Sequence, residues 1–178
     1  VFTGLGELGA WAGCVPNYAP VVGYVEEFPQ IVLARRTWRG FRTAVRVAAR
    51  IGGRAPLHCT ANGKVLLAFQ PNEVIEEALR APRARYTENT IVDPAVLRSQ
   101  LAEIRQAGYC IEREEFIADI RGIAAPVFDF NGTVIAAIAV VGPSARITEG
   151  QIEALVPLTL RTAESISRSL GHKPYKDA

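Results

Sequence analysis

A β-hairpin predicted over residues 121–143 constrains the fold more than any other part of this sequence. Two apolar runs flank Asn131-Gly132, a dipeptide that accepts positive φ at both central positions of a type I′ turn. Counting outward from the turn predicts these cross-strand pairs on one face of the sheet: Phe128–Ile135, Pro126–Ala137, Ala124–Ala139 and Gly122–Val141. The other face is apolar as well, so the hairpin is predicted to be central in its sheet.

The two faces of this hairpin differ in the size of their side chains. One carries Gly122, Ala124, Ala137 and Ala139, which leave space beside the sheet. Because protein interiors are close-packed, either a closely seated helix or a bound ligand must fill that space, and both interpretations stay open here. Pro126 has no N–H for a ladder hydrogen bond, so its strand is predicted to carry a bulge or a locally unpaired side.

Composition limits the classes of protein to which the chain can belong. Its 178 residues, 49% hydrophobic, suffice for one domain with a sizeable core. Twenty Lys and Arg are interspersed with 18 Asp and Glu, which does not make the basic surface typical of nucleic-acid binding. No apolar run reaches the roughly 18 residues of a membrane span, so we expect a soluble, cytoplasmic protein that binds no membrane. Three cysteines without Cys-x-x-Cys spacing predict neither a disulfide framework nor a zinc site.

The remaining elements are predicted from periodicity and capping signals. We expect a helix over 1–12, which continues an upstream linker helix, and strands over 18–25, 31–38 and 45–51. A helix should begin between His58 and Thr60, a short one should cover 73–80, and a third should start at Asp93-Pro94 and end at Gly108. After a strand over 109–114 and the hairpin, a helix capped by Thr148 should run to Leu170, with a tail over 171–178. This order predicts an α+β domain with a largely antiparallel sheet and helices on its faces.

Two segments offer polar groups that could meet a ligand. The first turn of the helix after His58 presents free backbone N–H groups, which suit a carboxylate. In the cluster Glu112 to Glu115, strand alternation sends Glu112 and Arg113 to opposite faces. A solvated loop is the usual interpretation of such a cluster, and an inward-facing member that recognises a ligand is the alternative.

Signatures of catalysis are weak. Ala61-Asn62-Gly63-Lys64 fails the phosphate-loop pattern at both ends, and neither G-x-S-x-G nor H-E-x-x-H occurs. His58-Cys59 could form a thiolate nucleophile near a helix N-terminus, but packing and hydrogen bonding fit these residues better, because a nucleophile needs an oriented base. A metal site of His58 with Cys59 or Cys110 lacks ligand spacing, so we expect no metal and no cofactor.

Several separated blocks carry a resemblance to a known family: P-L-H-x-T-A-x-G-K, L-x-x-I-R-x-x-G-Y, I-A-A-P-V-F-D and V-x-G-P-x-x-R-I. In this order they resemble the C-terminal effector-binding domain of the IclR family of bacterial transcription regulators, from about residue 31 to residue 171. The resemblance implies a GAF-like curved sheet around a small-molecule pocket, in one domain over residues 1–178. It also implies a homodimer or homotetramer that contacts DNA only through an N-terminal winged helix-turn-helix, which these 178 residues do not contain.

The resemblance also implies which residues line the pocket. In the family they come from the start of the T-A-x-G-K helix, the strand before the acidic cluster and the two hairpin strands. Carried onto this sequence, they are Ala61, Asn62, Glu112, Ile120, Gly122, Ala139 and Val141. Gly122 and Ala139 lie on the small-residue face that the hairpin register predicts independently.

Departures from the family pattern bear on the effector. Asp119 stands where the family tends to have Gly, Gly122 where Cys or Ser is frequent, and Ala139 and Val141 where Ser is common. Fewer hydroxyl donors favour a bulkier, more apolar effector, such as an aromatic or medium-chain carboxylate. An ionised, inward Glu112 would repel a carboxylate and would instead accept from a hydroxyl or amine.

The sequence therefore predicts a ligand-sensing and oligomerisation domain without catalysis. A small GAF-like enzyme that uses Cys59 is one alternative. The other is an interaction module whose ligand pocket has closed.

Overall fold

The structure of the chain is a computed structural model that describes residues 19–27, 30–35 and 53–173. The helix predicted over 1–12 and the strand predicted over 45–51 lie outside these ranges, as do residues 174–178 of the predicted tail. Within the described ranges, no helix combines the length and apolar character that crossing a membrane requires.

The described strands form one six-stranded sheet in the order β3-β2-β1-β6-β5-β4, and every neighbouring pair is antiparallel. The bounds are β1 Ala19–Glu27, β2 Gln30–Arg35, β3 Gly53–Pro56, β4 Cys110–Arg113, β5 Ile120–Phe128 and β6 Val134–Pro143. The hairpin β5-β6 is central, as its two apolar faces predict. The sequence analysis did not predict β3, which has four residues with Gly53 at one end and Pro56 at the other.

In the described part of the chain, four helices cover the two faces of the sheet: α1 Ala61–Ala68, α2 Asn72–Arg80, α3 Pro94–Ala107 and α4 Glu149–Ser169. The small-residue face of the hairpin shares one core with α1, α2 and α3. On the opposite face, Ile123 and Val127 belong to two clusters completed by apolar residues of α4. The α+β architecture predicted from the order of elements is therefore confirmed.

Capping residues set the helix ends where the sequence predicts them. Thr60 precedes α1, and its Oγ1 accepts from the Gly63 N–H at 3.1 Å. Asp93 Oδ1 accepts from two N–H groups of the first turn of α3, which ends at Gly108 with φ +76°. The backbone N–H of Thr148 donates to Gln151 Oε1 at the start of α4. Such contacts satisfy backbone groups that have no partner within the helix.

The turn of the hairpin differs from the prediction. Asp129 N–H donates to Thr133 O at 2.9 Å, and Gly132 N–H donates to Asp129 O at 3.1 Å. Gly132 has φ +78°, whereas Asn131 does not have a positive φ. The connection is a three-residue loop in which a type I turn leads into a left-handed glycine, so the predicted type I′ turn is wrong.

A second irregularity restores the predicted register of the hairpin. Phe128 pairs with Val134 rather than with Ile135, and the register then shifts between Val127 and Phe128. Beyond that shift, every pair from Pro126–Ala137 to Gly122–Val141 is as predicted. The irregularity lies in the strand that contains Pro126, as predicted, one residue beyond the proline. There the Phe128 N–H donates to Ser167 Oγ at 2.9 Å, which keeps a buried donor satisfied.

Candidate functional site

Three elements meet around Gly122, at the end of the sheet beside the N-terminus of α1. Strand register places Glu112 of β4 and Val141 of β6 on either side of Gly122 in β5. A Cβ atom added at Gly122 would lie 3.2 Å from Ala61 Cβ, 3.6 Å from Glu112 Oε2 and 3.6 Å from Val141 Cγ2. Four of the seven residues expected to line the effector pocket are therefore in close mutual proximity.

The other three of these residues lie in the same region of the fold. Ile120 and Gly122 are two residues apart on β5, so their side chains point to one face. Ala139 pairs with Ala124 and is buried beneath α1. Asn62 is the second residue of α1, and its side chain is buried.

Helix α1 is seated directly on the small-residue face. Ala61 and Val65 share a buried cluster with Ala124, Ala137 and Ala139. Only small side chains on the strands permit the helix backbone to approach this closely. Of the two interpretations of this face, the closely seated helix holds at Ala124, Ala137 and Ala139, and a ligand site at the end near Glu112 and Val141 stays a prediction.

Glu112 supplies a buried carboxyl group at that end. Its Oε1 accepts from the backbone N–H groups of Glu115 at 2.5 Å and Phe116 at 3.4 Å. Burial raises the pKa of Glu112 to about 7, although these two hydrogen bonds act in the opposite direction. Arg113, its neighbour on the strand, is exposed, so the predicted opposite facing of these two residues is confirmed. Near pH 7 the group can therefore either donate or accept a hydrogen bond.

A buried ion pair lies in the same region and was missed in the sequence analysis. Lys64 of α1 is fully buried, and its Nζ donates to Glu115 Oε1 at 2.5 Å and to Gln100 Oε1 at 3.1 Å. The signal for it was one lysine within the otherwise apolar run of α1, because a buried lysine requires an acidic partner. A solvated loop was the usual interpretation of the Glu112–Glu115 cluster, but the Glu115 side chain is buried, and its Oε2 has no hydrogen-bond partner among the described residues.

Two threonines hold the turn that carries these carboxylates. Thr87 Oγ1 donates to the Glu114 carbonyl at 2.6 Å, and Thr90 Oγ1 donates to the Glu115 carbonyl at 2.6 Å. Glu114 itself has φ +61°, a conformation that costs energy in a residue with a side chain. These contacts from a distant loop stabilise the position of the Glu112–Glu115 turn.

The environment of Cys59 is unfavourable for nucleophilic chemistry. Its side chain is fully buried, and burial raises its pKa to about 12, so the thiol is not ionised at neutral pH. His58 Nε2 lies 3.0 Å from the Ala84 carbonyl, and burial lowers the pKa of the ring. Across the described residues, no group of three or more His, Cys, Asp or Glu side chains is arranged to hold a metal ion.

Comparisons of sequence identify relatives over most of the chain. The family model described as "Bacterial transcriptional regulator IclR C-terminal" matches residues 40–168. The HTH-type transcriptional repressor AllR of Klebsiella pneumoniae is 39% identical over 137 residues, which cover 76% of this chain and 50% of AllR. AllR of Escherichia coli K12 is 35% identical over 135 residues. The chain spans about half the length of these curated relatives.

Two similar solved structures contain small aromatic acids. An IclR homolog from Microbacterium hydrocarbonoxydans complexed with 4-hydroxybenzoate has a TM-score of 0.80 and 30% identity, with 93% of this chain and 65% of that chain covered. A double mutant of the PobR inducer-binding domain from Acinetobacter, in complex with 3-hydroxybenzoic acid, has a TM-score of 0.79 and 28% identity. Here the match covers 92% of this chain and 93% of that chain.

Proposed function

Since the chain belongs to the IclR family of bacterial transcription regulators and forms the C-terminal effector-binding domain, we propose that its effector is a small organic acid that also carries a hydroxyl group. The proposed site comprises the seven residues introduced above: Ala61, Asn62, Glu112, Ile120, Gly122, Ala139 and Val141. The alternative of an enzyme that uses Cys59 is not favoured, because that thiol is buried and not ionised.

The observation that carries the proposal is the convergence of Ala61, Glu112 and Val141 around Gly122. Backbone N–H groups in the first turn of α1 suit the carboxylate of the effector. Glu112 supplies a group that exchanges a hydrogen bond with its hydroxyl. Because the pKa of Glu112 is raised to about 7, part of the population is neutral at that pH, which reduces repulsion between Glu112 and the acid.

We propose that regulation by this domain depends on how subunits assemble in a protein that joins it to N-terminal DNA-binding domains. In a cytoplasmic homodimer or homotetramer, the effector would alter the arrangement of subunits and thereby the spacing of N-terminal winged helix-turn-helix domains on DNA. A ligand can shift such an equilibrium only if it binds the two arrangements with unequal affinity. The proposal includes no catalytic step and no cofactor.

A thermal-shift experiment on the 178-residue chain tests the proposed site. The panel contains 3-hydroxybenzoate, 4-hydroxybenzoate, benzoate and aliphatic hydroxy acids. A ligand at 100 times its Kd stabilises the folded state by about 2.7 kcal/mol, which raises Tm by about 5–10 °C in a chain of this size. We expect the shift to be larger for acids that carry a hydroxyl group than for benzoate.

Two matched substitutions on β6 locate the binding. Val141→Phe adds bulk beside Gly122, and Ile138→Phe introduces the same ring at a half-buried position on the opposite face of the strand. The shift should disappear with the first and persist with the second. Full retention of the shift in Val141→Phe would place the effector elsewhere, and no shift with any acid in the panel would favour an interaction module with a closed pocket.

A further inference from the structure

A cavity of ≈310 Å³ lies apart from the seven residues of the proposed effector site, none of which lines it. Its walls come from the segment before α1, the C-terminal end of α2 and the following coil, and the turn after β4. Leu57, Leu67 and Leu97 form its floor and are each at most 4% exposed. This volume is at the lower end of the range for small-molecule pockets.

One wall of the cavity is aromatic. The rings of His58 and Tyr86 have centroids 6.1 Å apart, and Tyr86 meets Phe116 edge-on at 4.9 Å. Tyr86 is nevertheless 47% exposed, and it is one of four large hydrophobic residues that remain exposed in the described part of the chain. An open apolar cavity beside an exposed aromatic ring favours binding of a molecule with an apolar body.

Arg83 gives this cavity a fixed positive charge. Its Nη1 donates to the carbonyls of Ala78, Leu79 and Ala81 at 2.7–3.1 Å, and its Nε donates to Val92 O at 2.9 Å. These contacts hold the guanidinium at the C-terminal end of α2, where carbonyl groups favour a cation. The contacts leave Nη2 without a hydrogen bond to any described residue, and none of the ion pairs of the described residues involves Arg83.

The remaining lining groups do not neutralise that charge. The residues that line the cavity include no Asp and no Glu. His58 is the other titratable base in the wall, and burial lowers its pKa, so the ring is largely neutral at pH 7. The cavity therefore combines an apolar floor, an aromatic wall and one guanidinium group. The N–H donors on Nη2 of that guanidinium suit a planar anion such as a carboxylate.

We propose that this cavity is a second small-molecule site, separate from the effector site, which takes a small amphiphilic carboxylate. The apolar body of the ligand rests on Leu57, Leu67 and Leu97, and its carboxylate accepts from Arg83. If each heavy atom takes the volume of one liquid water, the cavity holds a ligand of about ten heavy atoms.

Phenylacetate is the probe for the test, and phenylacetamide is its neutral analogue of the same shape. Titration of the ¹⁵N-labelled chain with phenylacetate should shift the amide signals of Arg83, Tyr86 and Phe116 saturably, with a Kd of about 1 mM or tighter. Phenylacetamide should bind about tenfold more weakly, because it lacks the charge that Arg83 recognises. Equal affinity for the two probes, or no saturation at these three amides, overturns the proposal.

Matched tryptophan substitutions separate the two sites. Ala81→Trp adds bulk to the cavity lining at a non-helical position just after α2, and Ala102→Trp makes the same change at an exposed position of α3. We expect phenylacetate affinity at the Arg83 and Tyr86 amides to fall by about tenfold in Ala81→Trp and to be unchanged in Ala102→Trp and Val141→Phe. If Val141→Phe removes these shifts while Ala81→Trp leaves them intact, phenylacetate occupies the effector site alone and the second site does not exist. Failure of the hydroxybenzoate panel to raise Tm would leave the second site standing, since phenylacetate binding is measured separately, at the amides of Arg83, Tyr86 and Phe116.

Discussion

Replacing Glu112 with Gln should change how the stability of the domain depends on pH. The substitution keeps the shape of the side chain and an oxygen that can accept from the N–H groups of Glu115 and Phe116, as Glu112 Oε1 does. It removes the capacity to ionise and replaces the second carboxyl oxygen, Oε2, with an amide NH₂ group. Any pH-dependent difference between the two proteins therefore reports on the ionisation of this one buried carboxyl group.

The direction of the effect follows from the raised pKa. Burial raises the pKa of Glu112 from 4.5 to about 7, so between these pH values the folded chain binds a proton that the unfolded chain has lost. The free energy of unfolding must then fall as pH rises through this interval. The whole loss is about 3 kcal/mol, most of which falls between pH 5 and pH 8.

Urea denaturation at pH 5, 6, 7 and 8 measures this difference. The free energy of unfolding of Glu112→Gln, relative to the unsubstituted chain, should increase by about 2–3 kcal/mol from pH 5 to pH 8. Glu103→Gln makes the same chemical change on the exposed surface of α3 and should show no such increase. A change below about 0.5 kcal/mol in Glu112→Gln would refute the reasoning, since Glu112 would then titrate alike in the folded and unfolded chains.

The ion pair and the glycines give two further predictions. Lys64→Met should lower the free energy of unfolding in urea by about 3–5 kcal/mol, because it leaves the Glu115 carboxyl group buried without its partner; a double variant with Glu115→Gln should recover most of this loss, and no recovery would contradict the pairing. Gly108→Ala should cost about 1 kcal/mol, since φ is +76° there. Gly150→Ala, in the open first turn of α4, should instead raise Tm, and a decrease would contradict the conformational argument.

Much of the fold could be predicted because local and long-range signals agree. The hairpin is apolar on both faces, which requires cover on each face, and α1 to α3 on one face and α4 on the other supply it; the hairpin lies between β1 and β4 in the sheet. Thr60, Asp93 and Gly108 mark helix ends by chemistry that acts within a few residues. The type I′ turn was predicted wrongly because Asn-Gly also fits a type I turn followed by a left-handed glycine, and the side chain of Asp129 decides between them by accepting from the N–H groups of Asn131 and Thr133.

The candidate site could be predicted only in part, because charge burial is a property of the assembled core. The resemblance and the register identify Gly122 and Glu112, but no short-range pattern states that Lys64 and Glu115, which are 51 residues apart in the chain, form an ion pair at 2.5 Å. A lysine in an apolar helix requires a partner, yet the sequence offers several acidic residues. The pair becomes specific only when α1 packs on the sheet beside the turn after β4.

The cavity beside Arg83 could not have been predicted from sequence, because it depends on where one coil segment lies. Residues 81–86 have no helical or strand periodicity, and their position is set by contacts that Arg83 makes with carbonyls of α2 and with Val92. Those contacts leave a gap between the coil and the leucines beneath it. Removing the guanidinium would release the coil as well as the charge. For this reason the comparison of phenylacetate with phenylacetamide, which leaves the chain unchanged, isolates the electrostatic contribution more cleanly than any substitution of Arg83.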